Sequence, residues 1–110
     1  MQTRHLKLGL LGESKAVDYL IKKKYQIVER NWKLKKYEID IIAIDNEELV
    51  FIEVKTRSNS LKQLGEIITK SQQKRIISAA DSFIKKNKID LDVRFDMILI
   101  EKTIKSYKFT

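Results

Sequence analysis

Residues 37–57, YEIDIIAIDNEELVFIEVKTR, limit the possible folds of this chain more than any other stretch. Two strand-length runs rich in Ile and Val flank Asp45-Asn46-Glu47-Glu48, whose Asx residues suit a tight turn, so the stretch predicts a hairpin with strands at 37–45 and 49–57. Side chains alternate across a strand, which puts Asp40 on the face of Glu38, and Glu53 on the face of Phe51 and Lys55. A symmetric turn then sets Asp40 opposite Glu53 and Glu38 opposite Lys55. Directly opposed like charges disfavour pairing by roughly 0.2 to 1 kcal/mol, and by more when desolvated. A sheet that keeps them needs something to offset the repulsion.

The flanking sequence supplies helices. From 7 to 24, Leu10, Ala16, Val17, Leu20 and Ile21 recur at steps of three and four, one apolar stripe of a helix. YQIVERNWKL (25–34) alternates loosely and predicts a strand. After Arg57 a polar loop, SNSLKQLG, ends at Gly65. A second helix is predicted over 66–86, with Ile76, Ile77, Ala80, Phe83 and Ile84 on one side. VRFDMILIE (93–101) is a further strand, and IKSYKF a last strand at the sheet edge. The order predicts an α/β domain, a mixed central sheet flanked by two main helices, with all of 1–110 in a single domain.

A divalent cation is the simplest compensation for paired acids. With no cysteine and only His5, any metal must be held by oxygen. Mg²⁺, or Mn²⁺ in its place, takes one or two carboxylates, keeps several waters and accepts substrate phosphate oxygens. Asp40 and Glu53 suit it, the Val54 carbonyl could add a ligand, and the Lys55 ammonium could orient an attacking water, help its deprotonation by its positive charge, or stabilise charge on a phosphate. The competing arrangement is an ordinary Glu38–Lys55 ion pair with Asp40 and Glu53 on a wet face. Glu13 lies in the sector of Leu10, Ala16, Val17 and Leu20, where a carboxylate must be paired, protonated or near a metal unless it reaches water from the first turn. Gly9 and Gly12 beside it would admit a close approach by backbone or ligand.

Composition narrows the partner. The chain carries 23 Lys and Arg against 15 Asp and Glu, a formal +8, which favours polyanions and nucleic acid among them, though a merely solvated basic surface has the same count. Trp32 with Lys33, Lys35 and Lys36 could stack a base and hold phosphates, or Trp32 could belong to the core. Gln73, in line with Ile77, Ala80 and Ile84, could reach a phosphate or sit at the rim of the core. Arg57 and Lys74 complete the expected nucleic-acid contacts. Asp96 is either an acceptor behind the site or half of an ion pair. No apolar run is long enough for a membrane span and no signal peptide is visible, so the expectation is a cytoplasmic protein.

Asp40, twelve residues, then Glu53-Val54-Lys55 resembles the core of PD-(D/E)XK nucleases, with Glu13 matching the acid of the preceding helix. GLLGESKAVDYL, EIDIIA, VFIEVKTR, ITKSQQKRIISAA and RFDMI, in this order and spacing, resemble the small YraN-type branch of that superfamily and together cover most of the chain. The resemblance implies a restriction-endonuclease-like fold and DNA processing, with Glu13, Asp40, Glu53 and Lys55 catalytic and the three acids on the metal. Tyr37 and Gln72 depart from the branch's usual Gly and Lys. The expected function is a Mg²⁺-dependent endonuclease on DNA, more than on RNA, acting on branched or damaged structures; cutting a junction would require two sites and hence a homodimer. The alternative is a binding module of the same fold, holding nucleic acid without catalysis.

Overall fold

Strands whose residues are buried in succession, rather than alternately, must be covered on both faces. That is the state of Ile41, Ile42 and Ala43 and of Leu49 to Ile52, all at most 1% exposed. The computed structural model describes residues 4–35, 37–57, 68–101 and 104–109, and side chains from residue 12 onward. Lys36, the loop at 58–65, the expected helix start at 66–67, the side chain of Leu10 and the surroundings of Gly9 lie outside what is described.

The elements are α1 (Arg4–Lys22), β1 (Gln26–Leu34), β2 (Tyr37–Asp45), β3 (Glu48–Thr56), α2 (Lys70–Asn87), β4 (Asp92–Ile100) and β5 (Ile104–Phe109). The five strands form one sheet in chain order. Neighbours are antiparallel except β3 and β4, which run parallel. A parallel pair needs a crossover, and α2 lies within it. Ala16, Val17 and Leu20 of α1 pack on Ile41, Ala43, Val50, Ile52, Ile98 and Ile100. Ala79, Ala80 and Phe83 of α2 pack on Ile39, Ile42, Leu49 and Phe51, the opposite face. A mixed sheet between two helices is therefore the observed architecture, compatible with a restriction-endonuclease-like core.

Two details of α2 differ from expectation. It begins later, because Thr69 caps it: the Thr69 side chain accepts from Gln72 N–H while Gln72 Oε1 accepts from Thr69 N–H, a reciprocal box that satisfies two otherwise unpaired donors. Its buried stripe is Ile76, Ala79, Ala80 and Phe83, and Ile77 is 39% exposed. The helix is thus rotated from the Ile77–Ala80–Ile84 line, bringing Gln72 rather than Gln73 into phase with the buried side. Trp32 belongs to the core, meeting Phe83 edge-on at 5.3 Å between ring centres.

A buried arginine fastens the hairpin turn. Arg94 on β4, 8% exposed, contacts Asp96 at 3.0 Å, Asp45 at 3.0 Å, Glu48 at 3.1 Å and the Tyr25 hydroxyl at 2.8 Å. Asp45 and Glu48 are the last pair before the turn, where Asn46 takes a left-handed φ of 57°. Asp96 is therefore half of an ion pair.

Candidate functional site

The β2–β3 register is the expected one, running from Asp45 opposite Glu48 to Ile41 opposite Ile52, but it stops there. Asp40 and Glu53 are not laddered to each other. Instead Asp40 Oδ2 accepts the Val54 N–H at 2.8 Å, so the aspartate occupies the gap that opens between the two strands.

A break in alternation aims it there. Ile41 packs on the α1 side and Ile39 on the α2 side, although two residues apart on one strand they should share a face. The neighbouring strand does the same: Arg30 reaches Glu13 of α1, while Trp32 meets Phe83 of α2. Between them Asn31 has φ 52°, the left-handed conformation that Asn tolerates better than most residues. Arg30 pairs with Ile41 and Trp32 with Ile39, so Asn31 and Asp40 face each other where both strands change sides.

The acids are unlike ordinary surface carboxylates. Burial first, then the charge of Glu53, pushes the Asp40 pKa well above the usual aspartate value, to about 7. Burial likewise raises Glu53, against the opposing pull of Lys55, whose Nζ lies 3.5 Å from Glu53 Oε1. The competing arrangement, a Glu38–Lys55 ion pair, is not the one found: Lys55 pairs with Glu53 on the same strand. Glu13, 8% exposed, is raised by burial and by Asp40, with Asn31 and Arg30 pulling the other way. Arg30 Nη2 stands 3.7 Å from Glu13 Oε1, near enough to offset charge but too far to bond, and that oxygen has no hydrogen-bond partner among the described residues. Gly12, buried next to Glu13, is the site of a close approach: a Cβ there would collide with the Thr56 hydroxyl of β3.

Among the described residues no three acidic or His side chains converge into a ready-made metal cage. The nearest arrangement is the Asp40–Glu53 pair, with Glu13 facing Asp40 from α1 and Glu38 adding its charge to all three. Two hard oxygen donors, half-buried and mutually repelling, fit a cation that completes its shell with water and substrate.

The expected nucleic-acid contacts scatter around this end of the sheet. Lys33 and Lys35 are exposed where β1 ends, Lys35 with φ 55°. Lys74 is exposed on α2. Arg57 is half-buried, its N–H given to Ile100 O and its guanidinium to Thr56 O. The Gln73 side chain donates to Ile68 O at 3.4 Å, a role at the helix end. Four residues beside the acids carry no role in that expected set. A cavity of about 140 Å³ is lined by Tyr37, Glu38, Glu53, Gln72, Arg75 and Ile76. Steps of three and four from Phe83 back through Ile76 to Gln72 were the sequence signal for this side of α2; the alternative stripe through Ile77 obscured it.

The profile of the uncharacterised protein family UPF0102 matches residues 12–100. A UPF0102 protein of Bacteroides thetaiotaomicron is 45% identical over 97 residues, covering 87% of this chain and 80% of the relative. One from Clostridium perfringens is 41% identical over 111 residues, covering 99% and 91%. One from Flavobacterium psychrophilum is 38% identical over 105 residues, covering 94% and 88%.

Proposed function

The chain belongs to the UPF0102 family, and from that premise we propose that it is a divalent-metal-dependent endonuclease hydrolysing DNA phosphodiesters. The observation that carries the reading is the meeting of Asp40 and Glu53 in the opened end of the hairpin, where burial raises both carboxyls and the charge of Glu53 raises Asp40 further. Unoccupied, this pairing costs stability, which a sheet retains for function more readily than for packing.

Asp40 and Glu53 would hold Mg²⁺ or Mn²⁺, with Glu13 facing them from α1; the ion supplies Lewis-acid stabilisation of charge on phosphate oxygens and a more acidic water. Asp40 is held in position by the Val54 N–H, and Glu53 by Lys55. The Lys55 ammonium donates to the attacking water or to a non-bridging oxygen, where charge builds as the P–O bond breaks. Water's oxygen joins phosphorus, one bridging oxygen leaves as an alcohol carrying one proton, and the other proton passes to solvent. The formal +8 of the chain brings the polyanion in.

The test is nicking of supercoiled plasmid and of four-way junctions in Mg²⁺ and in chelator, with wild type, Asp40→Ala and Lys55→Ala. Cleavage that requires metal and falls at least a hundredfold in both variants supports the reading. Equal activity in wild type and Asp40→Ala, or none on any substrate, removes it. The last outcome, with salt-sensitive DNA binding indifferent to Mg²⁺, would favour the second reading, a non-catalytic binding module, whose support is the basic charge and the absence of a three-acid group among the described residues.

A further inference from the structure

The cavity beside Glu53 has walls of opposite charge. Glu38 and Glu53 stand on the sheet side, and Arg75 with Gln72 on the α2 side. The Arg75 side chain makes no ion pair or hydrogen bond among the described residues, although two carboxylates line the same space. A guanidinium with five donors, lining a cavity with acids it does not pair with, leaves room for a group that is negative toward arginine and shares a cation with the acids. Gln72 lines the same cavity. Its Oε1 is committed to the Thr69 N–H at 3.1 Å, so the amide NH₂ is the end left to bond elsewhere.

Size narrows the occupant. About 140 Å³ is under half of the roughly 300 Å³ at which small-molecule pockets begin, so the cavity takes a fragment of a larger ligand rather than a whole nucleotide. A backbone phosphate with its waters is a fragment of that scale, and its two non-bridging oxygens match the planar fork of arginine. Charge sets the order of events. Glu38 and Glu53 with the adjoining Asp40 are three carboxyls against Arg75 and Lys55, so a phosphate is held firmly only when a divalent cation offsets the acids.

We propose that Arg75, assisted by the Gln72 amide, grips a single backbone phosphate of the nucleic-acid substrate across the cavity from Glu53, and does so only when the carboxylates carry a divalent cation. This deepens the nuclease reading and rests on it. Arg75 then touches substrate directly, and it fixes which phosphate lies beside Asp40, Glu53 and Lys55.

The experiment is fluorescence anisotropy of a labelled DNA duplex and a labelled four-way junction, titrated in Ca²⁺ and in EDTA over a range of salt. The proteins are wild type, Arg75→Ala, Arg75→Gln, Arg75→Lys and Lys86→Ala, the last removing a charge from the exposed far end of α2. Arg75→Ala and Arg75→Gln are expected to weaken binding in Ca²⁺ about tenfold, with the slope of log affinity on log salt reduced by about 1, and to change binding in EDTA by about twofold or less. Arg75→Lys should restore the slope but only part of the affinity, because a point charge replaces a fork. Lys86→Ala should keep the Ca²⁺-dependent gain. If wild type binds DNA in Ca²⁺ and Arg75→Ala binds as tightly, or loses as much in EDTA as in Ca²⁺, the grip is overturned while the nuclease reading stands. If wild type binds no DNA in either condition, the nuclease reading falls and the grip with it. Arg75 is exposed on a helix, so the variants should fold, and thermal midpoints matching wild type would confirm that comparison.

Discussion

Asp40→Asn should make the metal-free protein more stable at alkaline pH. The aspartate's folded pKa of about 7 stands far above its ordinary 3.8, and each pH unit of that difference is worth about 1.4 kcal/mol, an upper limit on the order of 4 kcal/mol. Water reaching the half-buried carboxylate reduces this, and about 2 kcal/mol is a reasonable expectation, or roughly 8 °C in Tm for a domain of this size. The asparagine oxygen can still accept the Val54 N–H, and its NH₂ can donate to Glu53, so no new unsatisfied group is made. The sign follows from linkage. A carboxyl raised on folding is a penalty that is full above about pH 7, fades as pH falls from 7 toward 3.8, and is absent below. Urea unfolding in EDTA should therefore give the variant its largest advantage at pH 8, well under half of it at pH 5 and none near pH 3.5. Added Mg²⁺ should stabilise wild type and leave the variant unchanged. A variant no more stable than wild type at pH 8 in EDTA would refute the reasoning.

Arg94→Ala removes the partner of Asp96, which is 3% exposed, and should cost about 3 to 5 kcal/mol in urea unfolding; a loss below about 1 kcal/mol would contradict the role of that network. Asn31→Ala and Asn31→Gly both lose the side chain that bonds Glu13, but only Ala must hold the left-handed φ of 52° with a Cβ, so it should be less stable than Asn31→Gly by about 1 kcal/mol; equal stability of the two would show that the conformation is not needed. Lys88→Gly, at the left-handed C-cap of α2 with φ 51°, should gain about 0.5 to 1 kcal/mol in thermal unfolding, and a loss there would mean that the lysine side chain holds the cap.

The hairpin and both helices were legible because periodicity and turn chemistry are local. Asp45 to Glu48 set the register, and the pairing of Ile41 with Ile52 follows it. The site was legible in membership but not in geometry. Nothing in the alternation of 37–45 reveals that β2 changes faces at Asp40, because the cause lies on another strand, in the conformation of Asn31. The phase of α2 is only coarsely legible for a related reason: Ile76, Ala80 and Phe83 of the expected stripe are buried, but Ile77 is not. Ile76 and Ile77 are equally apolar, and only packing against Leu49, Phe51 and Met97 decides between them. A stripe holding both Ile76 and Ile77 sets Gln73 in line with Ile77, Ala80 and Ile84, whereas the packed face through Ile76, Ala79 and Phe83 is in phase with Gln72. The cap at Thr69 was visible in the sequence as T-K-S-Q, a signature that places the helix start without any tertiary information.

The hairpin behaves mechanically as tweezers, clamped by Arg94 at the handle and parted at the tips. Spreading the tips strains no rung of the ladder, since the rungs end at Ile41 and Ile52; the resisting spring is the link from Asp40 to Val54, with the contact of Asp40 and Glu53 beside it. Solvent exchange of that one amide hydrogen should thus serve as a gauge of whether the jaws are closed on an ion.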